Sequence, residues 1–404
     1  MANVSSSNGL EKYPKLRFKG FSEPWVKTPF SKLYRYVSEK NDGSMGVDKI
    51  ISVANMYFKP DARISDEEYL RTYNVFRLGD IAFEGNKSKN FAFGRFVENT
   101  IGDGIVSHVF VVFRPLQPDH NLGYWKYAIN NENVMGRILA RCTKKTTMMT
   151  NLVSDDFLEE EMFCPSNAEQ LKISSFLELL ERKIDAQTRL VEHLKKYKRG
   201  VIKEFLNPRT CPIKNAVWSK ATIGELGTFV KGAPLSKADI SDEGTPFILY
   251  GELYTTYGEV INKVVRKTQR SVDNVYLSRS GDVLIPTSGE TPEEISTASC
   301  VMVSDVILAG DLNIFRTSKV DGRIMSYVLN HIVNSNIARI AQGKSVVHIQ
   351  ASEISKISIS YPDENTQQQM ISVFDGISEK ITLAEEALAK MIMLKKSIIQ
   401  KMFI

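Results

Sequence analysis

No pattern for metal or disulfide chemistry organises the cysteines of this sequence. The four of them (Cys142, Cys164, Cys211 and Cys300) are scattered, with no C-x-x-C and no histidine at ligand spacing. That excludes a disulfide framework and a structural zinc site, and leaves reduced, structural thiols. The histidines (His108, His120, His193, His331 and His348) form no cluster either. No apolar run approaches the ~18–20 residues of a membrane span; "VSHVFVVF" comes nearest. The opening "MANVSSSNGLEKYPKLRFKG" has no apolar core of the kind a secretory signal carries, so a cytoplasmic protein without membrane contact is expected.

Nucleotide and catalytic motifs are also missing. Gly343-Lys344-Ser345 in "AQGKSVV" ends like a P-loop, but Ala338 stands where its first glycine belongs. "IGDGIVS" lacks the third glycine of a dinucleotide fingerprint, and "NPRT" has only the first two residues of the Asn-Pro-Pro-aromatic motif of amino-methyltransferases. Asp80, Glu84 and Lys87 have the residue types of a nuclease set at the wrong spacing. The expectation is a chain with no active site, no metal and no bound cofactor.

What is present begins with size and charge. At 404 residues the chain exceeds one ordinary core, so two domains are expected. A net charge of +5 is compatible with a nucleic-acid partner without demanding one.

The dominant signal is an internal repeat. "PSNAEQLKISSFLELLERKIDAQTRLVEHLKKYKRGVIKEFL" (165–206) lies over "PDENTQQQMISVFDGISEKITLAEEALAKMIMLKKSIIQKMF" (362–403) without a gap for 42 positions. Pro165 meets Pro362, Gln170 meets Gln367, Lys198 meets Lys395 and Ile202 meets Ile399. Upstream, Trp25, Phe30 and Leu33 recur at the same offsets as Trp218, Ile223 and Leu226. Gly79-Asp80 in "FRLGDIAFEG" is echoed by Gly281-Asp282 in "SRSGDVLIPTSG". Two amphipathic helices that merely look alike would not reproduce the upstream spacing.

Each half is of mixed class. "GDIAFEG", "HVFVVFRP", "GDVLIPT" and "KISISYP" are short β-branched or aromatic runs bounded by Gly, Pro and Asp, and predict strands. "GYWKYAINNENVMGRILAR" and "GRIMSYVLNHIVNSNIARIA" have helical periodicity. The expected fold class is α+β: two similar globular domains separated by two long antiparallel helices, a coiled-coil-like rod with a pseudo-two-fold repeat. The expected divisions are a disordered tail at 1–12, a first globular domain at 13–164, a central helix at 165–207, a second domain at 208–361 and a C-terminal helix at 362–404.

Apolar stripes run along both helices. In the first they comprise Ile173, Leu177, Leu180, Ile184, Val191, Leu194 and Val201; in the second, Ile371, Phe374, Ile377, Ile381, Leu388, Met391, Leu394 and Ile398. Such stripes need partners, each other first and a further protein second. The lysines that close both helices, Lys198 and Lys395 among them, suit the negative end of the helix dipole. One helix leaves the first domain and enters the second, so a pair formed with its repeat runs antiparallel. Forty residues at ~1.5 Å each make a rod of about 60 Å.

This arrangement resembles the specificity subunit of Type I restriction–modification systems. The likeness rests on "FKGFSEPWVKTPFSKL", on "ERKIDAQTRLVEHLKKYKRGVIKEFL" between the halves and on "DENTQQQMISVFDGISEKI" near the end. It implies a non-enzymatic reader of double-stranded DNA, each globular half a target-recognition domain for one half of a split asymmetric site. It further implies helices that set the spacer and dock two modification subunits, with restriction subunits joining. S-adenosylmethionine would belong to the modification subunits, and ATP and magnesium to the restriction subunits.

A reader of base edges and phosphates needs Arg, Lys, Asn, Gln and hydroxyls on loops. The candidates in the first half are Asn86, Lys87, Lys89, Arg95, Arg141, Lys144 and Lys145. In the second half they are Lys263, Arg266, Lys267, Arg270, Thr287, Ser288, Gln342, Lys344 and Ser345. The competing readings are a two-domain protein adaptor, a self-contained nuclease, and a folded specificity subunit without a working partner.

Overall fold

The computed structural model describes residues 13–64, 66–145, 149–341, 343 and 347–404, the side chain of Lys145 excepted. The expected tail at 1–12 and the candidates Gln342, Lys344 and Ser345 lie outside the described residues. The chain forms two compact units. The first holds the residues up to Thr188 together with Glu386–Ile404, and the second holds Arg189–Glu385.

The first unit is built on a four-stranded antiparallel sheet in the order Tyr34–Val37, Val111–Pro115, Ile81–Glu84, Arg95–Glu98. Val26–Pro29 pairs antiparallel with Glu161–Cys164, closing the domain just before its long helix. The segment expected as one helix over 123–141 is two, Leu122–Ala128 and Glu132–Cys142. Asn131 breaks it: its side chain accepts the Asn133 N–H at 3.1 Å and restarts the helix as an N-cap.

The second unit repeats this plan with a larger sheet. Five strands run in the order Gly227–Lys231, Leu312–Thr317, Asp282–Pro286, Ser299–Val301, Val260–Ile261. A three-stranded sheet (Arg266–Thr268, Thr245–Leu249, Ile307–Ala309) is added. Trp218–Thr222 pairs with Ser358–Pro362, matching the closing pair of the first unit. The segment over 322–341 is again two helices, Gly322–His331 and Asn334–Ile340.

The long helices span Asn167–Phe205 and Glu364–Met402. Both begin in the same way. Gln170 donates its side-chain amide to the Pro165 carbonyl at 3.2 Å, and Gln367 does so to Pro362 at 2.8 Å. Each helix contributes to both units. In the first, Ile173 and Leu177 share one buried cluster with Ile398 and Met402. In the second, Lys195 meets Glu385 at 2.6 Å while Phe205 meets Phe374 edge to face, so the two helices run antiparallel there.

Most of the predicted stripe is buried or half-buried, but Leu394 is 54% exposed. Its neighbour Lys395 takes the inward position, one residue or about 100° round the helix. Lys395 lies over the Tyr127 ring and pairs with Glu181 at 2.7 Å. In the second unit its repeat counterpart Lys198 lies over Tyr327 and pairs with Glu259 at 3.0 Å. These lysines are therefore packing residues, and the helix dipole is not what places them.

The strongest mark of the repeat is the Gly-Asp turn. Gly79 and Gly281 adopt φ of 86° and 96°, a region that favours glycine. Asp80 accepts the Arg77 N–H at 2.8 Å, and Asp282 accepts that of Arg279 at 2.9 Å. An arginine 34 residues further on clamps each carboxylate: Arg114 on Asp80 at 2.9 Å, Arg316 on Asp282 at 3.2 Å. Burial raises both carboxyls above their ordinary range despite the arginines.

Candidate nucleic-acid interface

The strand that leaves each Gly-Asp turn carries the chain straight into a candidate loop. In the first unit Ile81–Glu84 runs into the connection that holds Asn86, Lys87 and Lys89, all three exposed. A hairpin, Thr143–Lys145 with Thr150–Leu152, lies against it. Asn86 bridges to Met149, the Thr150 N–H donates to the Gly85 carbonyl at 2.9 Å, and the Thr150 hydroxyl reaches the Gly85 and Phe93 carbonyls. The structure thus brings Asn86, Lys87 and Lys89 beside the hairpin that carries exposed Lys144.

The second unit repeats the join. Asp282–Pro286 runs into Thr287 and Ser288, and Ser288 and Gly289 pair with His348 and Val347. The Ile349 N–H donates to the Thr287 carbonyl at 3.0 Å, as Thr150 does to Gly85. In both units, then, the loop after the central strand is stitched to the segment that follows the second helix of the domain.

Several candidates are committed elsewhere. Ser288 is buried, and its hydroxyl bonds Asp311 at 2.6 Å; it holds the loop in shape and presents nothing outward. Arg95 donates to Glu84 at 2.7 Å, to the Ala54 carbonyl at 3.0 Å, and stacks on Phe91. Arg141 is neutralised by Glu160, with Nε at 2.6 Å. Arg266 and Lys267 lie on the separate three-stranded sheet. Arg266 pairs with Glu252 and Arg270 with Asp239, each at 2.9 Å, although both arginines stay largely exposed. Lys263 is exposed on the turn before them.

Among the described residues no group of three or more His, Cys, Asp or Glu is disposed to hold a metal, and no helix is long and apolar enough to cross a membrane. The buried Glu98–His120 contact, at 2.6 Å, has the look of catalytic machinery. Burial holds both groups uncharged, with Glu98 pushed up to about 9 and His120 down to about 4. His120 stacks on Trp125, which places the pair in the domain core.

Comparison with known proteins bears on this geometry. Residues 215–391 match the model of a family described as Type I restriction modification DNA specificity domain. The match covers the second globular domain and most of the long helix that follows it. The family is a recognition component, not a catalytic one. Over the whole chain the fold is similar to that of the Type I restriction–modification S subunit from M. genitalium. The identity is 15% and the TM-score 0.54, covering 97% of this chain and 99% of that one. It is also similar to a chain from a structure described as the basis of complex assembly and conformational transition of the type I R-M system. There the identity is 17% and the TM-score 0.58, covering 94% and 97%. No curated protein matches the sequence. At these identities the structural likeness establishes the fold alone, over both units.

Proposed function

We propose that the chain is the DNA-reading subunit of a Type I restriction–modification complex, each unit reading one half of a bipartite, asymmetric site. The observation that carries this is the duplicated join. Each unit carries a polar loop stitched to a second segment beyond the same strand, on a domain whose second copy matches a DNA specificity family. Asn86, Lys87, Lys89 and Lys144 in the first unit, and Thr287 with Gln342, Lys344 and Ser345 in the second, are the proposed readers. Arg141, Lys263, Arg266, Lys267 and Arg270, all exposed, are proposed as phosphate contacts, because a surface cation that already has a partner can still meet a phosphate.

The long helices are proposed to set the spacer, since each continues from one unit into the other, and to dock two modification subunits. Their outward faces support docking: Leu179, Leu190, Leu383, Ile392 and Met393 are all exposed, and apolar residues on a helix without a covering partner mark an interaction surface. In this reading S-adenosylmethionine, ATP and magnesium belong to the partner subunits, and the chain binds no cofactor itself. The proposed domain limits follow the closing strand pairs, with the helices as spacers between readers. The test is co-expression with the modification subunit in a methylation-free host. The proposal requires N6-methyladenine at a split motif, present only when both chains are made.

A further inference from the structure

The two Gly-Asp turns share a backbone but carry opposite surface chemistry. In the first unit Glu39 closes the turn, accepting from Arg77 and Arg114 at 2.7 Å each, so two arginines face Asp80 and Glu39 in balance. The flanking residues are apolar: Leu78 and Leu116 are exposed, and Pro115 ends the strand. The Leu78 N–H is taken by the Asp103 carboxylate at 2.9 Å.

At every matching position in the second unit the residue is polar. Ser280 stands for Leu78, Thr317 for Pro115, Ser318 for Leu116 and Lys319 for Gln117. Strand pairing sets Thr228 against Arg316 as it sets Arg35 against Arg114, so Gly232 falls where Glu39 stands. A carboxylate is excluded there, because a Cβ on Gly232 would lie 2.7 Å from the Gly310 carbonyl oxygen. Among the described residues the Arg279 side chain makes no ion pair, although its charge acts on Asp282 from a distance, and the Ser280 N–H makes no hydrogen bond.

The result is a cavity of about 590 Å³ lined by Thr228, Arg279, Ser280, Arg316, Ser318 and Lys319. Its lining holds three cations against the two carboxylates of Asp282 and Glu225. Arg316 is committed to Asp282, Glu225 accepts from Thr222, and the Lys319 ammonium donates to the Glu225 carbonyl at 2.7 Å, which leaves Arg279 as the cation without a bonded partner among the described residues. Spare positive charge, several hydroxyls and a free backbone N–H at a glycine turn are the groups that hold a tetrahedral oxyanion.

We propose that this pocket of the second unit binds a phosphate group, supplied by the backbone of duplex DNA, and that the first unit has no counterpart. The proposal rests on the DNA-reading function above. It assigns to this turn a contact that orients the second reader without reading bases.

The test uses the full chain in complex with its modification subunits. Affinity for a mixed-sequence duplex is measured by fluorescence anisotropy between 50 and 200 mM salt, about the range in which phosphate contacts dominate. For the double variant Arg279→Gln, Lys319→Gln the slope of log affinity against log salt becomes shallower by about one. Arg77→Gln at the first turn leaves the slope unchanged. Calorimetry with inorganic phosphate separates the two sources of the ligand. An unchanged slope with phosphate heat that the variant loses overturns the DNA source in favour of a free anion. An unchanged slope with no phosphate heat overturns the site. If the unaltered complex binds no duplex, the DNA-reading function itself fails, and the phosphate calorimetry then judges the pocket alone.

Discussion

Replacing Asp282 with alanine should unfold the second unit more readily than replacing Asp80 unfolds the first, although the two aspartates hold the same turn. Both are buried, and both accept one backbone N–H and an arginine. Loss of one member of a buried ion pair costs roughly 3–5 kcal/mol when the remaining charge is stranded. Arg114 is not stranded by Asp80→Ala, because Glu39 still accepts from it at 2.7 Å. The loss there reduces to the orphaned Arg77 N–H and the vacated contact, about 1–3 kcal/mol. Arg316 has no second carboxylate among the described residues and keeps only the Leu277 and Val275 carbonyls, at 2.9 and 3.2 Å. Asp282→Ala is therefore placed near 3 kcal/mol, the lower end of the ~3–5 range, since burial already disfavours the ionised carboxylate. Urea unfolding followed by tryptophan fluorescence resolves the units, with Trp25 and Trp125 in the first and Trp218 in the second. Equal losses, or a larger loss for Asp80→Ala, would refute the role given to Glu39.

Other outcomes follow from the same geometry. Burial pushes the Glu259 carboxyl up, but bonds from His331 at 2.9 Å and Lys198 at 3.0 Å outweigh it and hold it at about 2. A depressed carboxyl stabilises the fold above its unfolded value of ~4.3 and loses that contribution as pH falls towards 2. Glu259→Gln should thus lower the unfolding free energy at pH 7 by on the order of 2–3 kcal/mol and leave it nearly unchanged near pH 2. A pH-independent effect would count against the assignment. Ser288→Ala should cost about 1–2 kcal/mol through the Asp311 bond and leave the recognised bases alone; an altered methylation motif would return Ser288 to the reading surface. Met393→Glu on the exposed helix face should leave the unfolding curve intact and abolish co-purification with the modification subunit. Normal co-purification would move the docking surface elsewhere.

The parts of the fold legible in the sequence were those that depend on period and on repeated chemistry. The helices Asn167–Phe205 and Glu364–Met402 follow from long apolar stripes behind a proline, and the repeat of Gln170 in Gln367 proves to be one hydrogen bond made twice. What periodicity could not show was which residue of a mixed stripe turns inward. Leu394 was the apolar choice, yet Lys395 sits inside because its stem covers Tyr127 and its charge meets Glu181. The helix breaks at Asn131 and after His331 were missed because apolar spacing continues through both. At the candidate interface, type alone drew attention to Arg95, Arg141 and Ser288. Their partners Glu84, Glu160 and Asp311 are distant or cross-strand, and nothing local announces them. The signal that was available and passed over was contrast within the repeat. Leu78 against Ser280 and Leu116 against Ser318 were readable once the two Gly-Asp turns had been aligned.

The central claim is that this chain supplies sequence recognition to a methyltransferase that cannot find its site alone. The most direct measurement is single-molecule mapping of N6-methyladenine across the genome of a methylation-free host carrying this chain, its modification subunit, or both. The account predicts methylation only with both, at one motif made of two short specified halves around an unspecified spacer. Exchanging the second unit for that of another specificity subunit should then change one half of the motif and preserve the other. Methylation by the modification subunit without this chain, or a stable complex of both that methylates no motif, would contradict it.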